Sequence, residues 1–131
     1  MKALKFAMAV AIALVVVGCG RVKPVLNFEN EPVTYDLTAS QVKSAITEAA
    51  TERGWVITEP EAGVLKATIL VRSHEAEAKI PYTNKFYSIT YVSSKNLKAA
   101  NGEIHRNYNR WINNLNTDIR KQLSAVATAS K

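Results

Sequence analysis

The chain has 131 residues, with 17 Lys and Arg against 11 Asp and Glu for a formal net charge of +6, and 47% of its residues are hydrophobic. This length holds one small domain, and the apolar share excludes a chain too polar to bury a core. Cys19 is the single cysteine, which excludes an internal disulfide, so the fold stands on packing alone.

The first stretch is Met-Lys-Ala-Leu-Lys followed by the apolar run Phe6 to Val17. Lys2 and Lys5 make a positive lead, and the run falls well short of the roughly 20 residues needed to span a bilayer as a helix. It ends in Val16-Val17-Gly18-Cys19, which reads as a lipobox. The pattern resembles bacterial lipoprotein signals. That resemblance implies cleavage after Gly18, a diacylglyceryl thioether on Cys19 and an acylated amine. Each buried methylene contributes about 0.8 kcal/mol, so three acyl chains give an anchor that does not let go. Gly20 follows the cysteine where an aspartate would direct retention at the inner membrane. The same resemblance therefore implies an outer-membrane address facing the periplasm. The expected division is a signal peptide over 1–18, a lipidated tether over 19–33 and one domain over 34–131.

Charge is uneven along what remains. From Cys19 to Ala78 there are six basic and nine acidic residues; from Lys79 to Lys131 there are nine basic and two acidic. A basic C-terminal half points to an anionic neighbour such as lipid head groups or lipopolysaccharide, with Lys85, Lys95, Lys98, Arg106 and Arg110 as its cations. Nucleic acid is not an expected partner of an exported, anchored chain.

Gly20 to about Pro32 shows no periodicity and carries prolines, so it is expected to be a tether, reaching roughly 40 Å when stretched. Thr38 or Ser40 caps a helix expected over about Ala39 to Arg53, with Val42, Ala45, Ile46 and Ala49 on one face and Gly54 as its stop. Trp55 to Thr58 reads as a strand and Glu59 to Gly63 as a turn. Leu65, Ala67, Ile69 and Val71 alternate with polar or outward residues, as do Ala76, Ala78 and Ile80, and then Tyr87, Ile89 and Tyr91 after a turn over Pro81 to Lys85. Ser73-His74 carries no glycine or proline, so residues 63–82 read as either a hairpin or one long bent strand. In this register Leu70 and Phe86 lie on the outer face. Asn101 caps a last helix expected from about Glu103 to Val126, with Ile104, Tyr108, Trp111, Ile112, Leu115, Ile119 and Leu123 in one stripe. The expected fold is α+β: an antiparallel sheet of three to four strands with two helices on one face, in the order α-β-β-β-β-α.

No catalytic set assembles from these residues. His74, Glu75, Glu77 and His105 are the metal candidates, but His74 alternates to the face opposite Glu75 and Glu77. There is no Gly-x-Ser-x-Gly, and Gly54, Gly63 and Gly102 fall at element boundaries rather than in a phosphate loop. No catalytic residue, metal or cofactor is assigned. The richer feature is Ile104 to Leu115, dense in asparagine, arginine and aromatic rings although asparagine is a mediocre helix former. Arg72, His74, His105, Arg106, Asn109, Arg110 and Asn113 are the candidate binding residues, facing glycan or lipid head groups. The alternative reading of the same residues is a bond from Asn107 to a neighbouring loop, with Tyr108 and Trp111 simply core.

Arg53-Gly54-Trp55, Arg72-Ser73-His74, Tyr87-Ser88-Ile89-Thr90-Tyr91 and the run from Ile104-His105 to Trp111-Ile112 resemble a family of small proteobacterial envelope lipoproteins of unknown function. The resemblance covers most of the chain after Cys19 and implies no catalytic residue or ligand. The expected protein is a non-catalytic binding or structural module of the envelope. The rivals are a small metal-dependent or hydrolytic cell-wall enzyme and a binder of anionic lipid or lipopolysaccharide.

Overall fold

The computed structural model describes residues 21–130. The expected signal peptide over 1–18 and the expected lipidation at Cys19 lie outside the described residues. The body begins at once: β1 (Val22–Pro24) and β2 (Phe28–Pro32) both pair with later strands. Residues 22–32 are therefore built into the fold, which corrects the expectation of a free tether over 19–33. The physical reason this was hidden is plain in the chain. β1 has three residues, and β2 is broken by a register shift between Phe28 and Glu31 with Asn30 at φ 54°, so neither carries an alternation to read.

Helix α1 (Ala39–Glu52) starts from a reciprocal cap. The Gln41 amide N–H donates to Thr38 Oγ1 at 3.1 Å and the Thr38 N–H donates to Gln41 Oε1 at 2.9 Å, which satisfies two otherwise orphaned donors. Val42, Ala45, Ile46 and Ala49 are fully buried, as their spacing predicts. The chain then leaves through Gly54 at φ 89°, a conformation that costs a side chain dearly.

Four strands follow: β3 (Val56–Glu61), β4 (Val64–Val71), β5 (His74–Pro81) and β6 (Phe86–Lys95). With β2 on the far side they form one antiparallel sheet in the order β2-β6-β5-β4-β3. The sheet thus has five strands rather than three or four. β3 continues through Pro60, which an edge strand tolerates because the N–H that proline lacks is not needed on a side with no neighbouring strand. Residues 63–82 form a hairpin and not a bent strand: Val71 pairs with His74, and Arg72 takes the left-handed φ of 57° that glycine usually supplies in such turns. β6 runs to Lys95, past the expected end at Tyr91, because a register shift between Glu77 and Ala78 absorbs one extra residue, Val92, and lets pairing resume.

The last helix begins later than expected. Glu103–His105 form a short strand, β7, that pairs with β1, and α2 runs from Arg106 to Ala129. His105 replaces Asn101 as the cap, its Nδ1 accepting from the Asn107 N–H at 3.1 Å.

Leu65, Ala67, Ile69, Ala76, Ala78, Ile80, Tyr87 and Ile89 from one face of the sheet form a single core with the apolar stripes of both helices. Alanines are paired at the centre, Ala67 opposite Ala78, so the helices seat closely on the strands. Among the described residues no segment covers the other face of the sheet. Leu70 is 68% exposed, Val56 62%, Phe86 48% and Val92 46%.

Candidate functional site

Strand order sends the β4–β5 turn, the end of β6, β7 and the first turn of α2 to one end of the sheet. Backbone and side-chain bonds fasten them there. The His105 N–H donates to Leu97 O at 2.8 Å and the Arg106 N–H to Arg21 O at 3.1 Å. His74 Nδ1 lies 2.7 Å from Asn96 O, so that nitrogen carries the proton, and Asn96 Nδ2 donates to Ser73 O at 2.7 Å. Arg21, Arg72, His74, Lys98, His105 and Arg106 are gathered by these ties. Lys95 stands nearby, 3.8 Å from Glu75, a pair too exposed and too long to hold it firmly.

The electrostatics of this end are one-sided. Among the described residues, no carboxylate comes within ion-pairing distance of Arg21, Arg72, Lys98 or Arg106, whereas Lys43, Arg53, Lys66 and Arg120 elsewhere each find one. The His105 imidazole is held below its ordinary pKa, first by desolvation and then by repulsion from Arg106, Lys98, His74 and Arg21. Every neighbour acting on it is a cation or the other histidine. Arg106 also stands at the positive end of the α2 dipole, where an anion would be favoured.

Arg72 and Lys98 have left-handed backbone, φ 57° and 55°. Such a conformation costs a side chain with a Cβ about 1–2 kcal/mol. The chain places its cations where glycine or asparagine would be easier.

The opposite end of the sheet is different in kind. There Glu59 accepts from the Tyr82 hydroxyl at 2.5 Å, from Lys43 Nζ at 2.9 Å and from the Gly63 N–H at 3.3 Å. The Tyr82 bond, then the Lys43 bond, hold the Glu59 carboxyl below its usual pKa, and the Tyr82 hydroxyl is pushed up to about 12 chiefly by the same bond. This network ties β3 to α1 and to the β5–β6 turn. Lys85 lies in that turn, so the five cations named from the sequence do not form one patch.

The candidate residues on α2 separate as well. Asn109 is a clamp: its Oδ1 accepts from the Leu26 N–H at 2.9 Å and its Nδ2 donates to Pro24 O at 2.8 Å. Both halves of its amide are spent on the link between β1 and β2. Arg110 donates to Asn107 Oδ1, and Asn113 is exposed, its carbonyl accepting from Thr117 Oγ1 at 3.0 Å. Asn116 is buried and accepts from the Tyr87 hydroxyl at 2.5 Å. Thus two of the five asparagines are consumed inside the fold, and Tyr108 is fully buried against Tyr91 with ring centroids 5.3 Å apart.

Glu77 pairs with Lys66 at 3.4 Å across the outer face. Among the described residues no three His, Cys, Asp or Glu side chains are grouped to hold a metal ion. An open cleft of about 530 Å³ runs beside the clamp, lined by Pro24 to Asn27, Glu29 and Asn109. Arg21 was missed as a site residue from sequence because it falls in the stretch read as a tether; Lys98 was named only as part of the wider cationic set.

No protein-family model matches the chain, and no curated protein matches it either.

Proposed function

We propose that the protein is a lipid-anchored module of the bacterial envelope, held through Cys19 on the periplasmic side of the outer membrane, that binds or scaffolds rather than catalyses. The observation that carries this reading is the sequence from Lys2 to Cys19, in which a positive lead, an apolar run and a small residue precede the lone cysteine. The position of the folded body supports it, since pairing begins at Val22, three residues after Cys19. The gathered cations at that same end favour an anionic component of the envelope as the thing bound.

The test is the mass of the N-terminal peptide of protein made in a bacterial host. A triacylated Cys19 at the new terminus is expected, and a Cys19→Ser variant is expected to leave the membrane fraction. An unmodified thiol at position 19 sinks the reading.

A further inference from the structure

We propose that the basic end of the sheet docks on the anionic head groups of the leaflet that holds the Cys19 acyl chains, a deepening that rests on the anchored reading above. The occupant is the membrane surface itself, and the reach of the chain selects it. Covalent geometry allows at most about 11 Å between the Cα atoms of Cys19 and Val22. Val22 is paired with His105, and Arg21 O is bonded to the Arg106 N–H, so the strand leading to the anchor is fixed at that end of the body. A domain so tied cannot stand clear of its leaflet. Whatever lies at this end lies within about a Debye length of the head groups, where surface charge is still felt.

What lies there is cationic. Arg21, Lys98, Arg106 and Arg72 project from four separate segments, the N-terminal lead, the β6–β7 connection, the start of α2 and the β4–β5 turn. Among the described residues none of the four has a carboxylate partner within ion-pairing distance. Glu75, next to His74 at the start of β5, pairs with Lys95; Glu103 sits at the other end of β7, opposite Pro24. At the opposite end Glu59 is bonded to Lys43 and Tyr82, while Lys85 in the β5–β6 turn has no carboxylate within ion-pairing distance among the described residues. What sets the basic end apart is that the strand leading to Cys19 is fixed there, through Val22 opposite His105 and Arg21 O on the Arg106 N–H.

The experiment uses the intact acylated protein, purified from membranes and reconstituted in two kinds of vesicle, phosphatidylcholine alone and phosphatidylcholine with phosphatidylglycerol. Amide hydrogen exchange is followed by mass spectrometry. Peptides covering 70–76 and 95–108 are expected to exchange several-fold more slowly on the anionic vesicles, and added salt is expected to reverse the slowing. The paired substitution Lys98→Glu with Arg106→Glu is expected to abolish it, while Lys85→Glu leaves it unchanged; Lys98→Gln with Arg106→Gln serves where the reversed charges unfold the protein. Equal exchange on both vesicles, or slowing at residues 82–85 instead, overturns the docking. The same mass spectra read Cys19. An unmodified cysteine removes the anchor and the docking together, and an acylated protein without the slowing removes the docking alone.

Discussion

Two buried tyrosines show how much a single hydroxyl decides. Tyr87 and Tyr108 are both fully buried, but the Tyr87 hydroxyl meets Asn116 Oδ1 whereas the Tyr108 hydroxyl has no hydrogen-bond partner among the described residues. Burial raises the pKa of both, Tyr87 to about 12. Tyr87→Phe would strand the buried Asn116 carbonyl and is expected to cost about 1–3 kcal/mol, while Tyr108→Phe removes an unsatisfied group and is expected to be neutral or stabilising. Urea unfolding of the two variants side by side checks the contrast. His105 gives a second residue-scale test. Its pKa is depressed, so between that value and its unfolded value the unfolded chain binds more protons and stability rises with pH. The contribution is present above the unfolded pKa and is lost as pH falls through the folded one, where protonation also removes the Nδ1 acceptor that caps α2. An NMR titration of the His105 ring is expected to show its pKa rise in Arg106→Gln, since a repelling charge has gone.

At the scale of elements, α1 and the buried faces of β4 to β6 were legible because their apolar residues keep strict period. Val42, Ala45 and Ile46 recur at helical spacing, and Leu65, Ala67 and Ile69 alternate, with Leu70 left on the outer face where the structure has it. What escaped was held by interactions that leave no period. β1 and β7 are three residues each and exist because they pair with one another across 83 positions of chain, as in Val22 opposite His105. Asn109 looked like part of a polar recognition face because sequence shows its type and not its partners, which lie in the N-terminal link. Arg72 in the β4–β5 turn hid the hairpin, since nothing in the residue itself announces a left-handed backbone. The clamp makes a testable claim of its own. Asn109→Ala is expected to cost about 1–3 kcal/mol and to speed exchange of the Leu26 amide, because a donor and an acceptor lose their bonds together. If the Leu26 amide exchanges no faster than before, the clamp is not what holds the segment.

The described residues form a two-layer body with a cationic end, a Glu59-centred network at the other, and one sheet face that no described segment covers. Its N-terminal lead is paired into the fold from Val22 onward, so on the anchored reading the leash is short and the anchor would control orientation rather than reach. The helix that starts beside Arg21 extends this consequence. With 24 residues α2 is about 36 Å long, and its far end lies by the start of α1, where Gln41 Nε2 donates to Ser130 Oγ. On the anchored reading, α2 is a mast planted in the leaflet, and a fluorophore attached at the carboxyl terminus would ride at its top. Energy transfer from that dye to labelled lipid would gauge how upright the body stands.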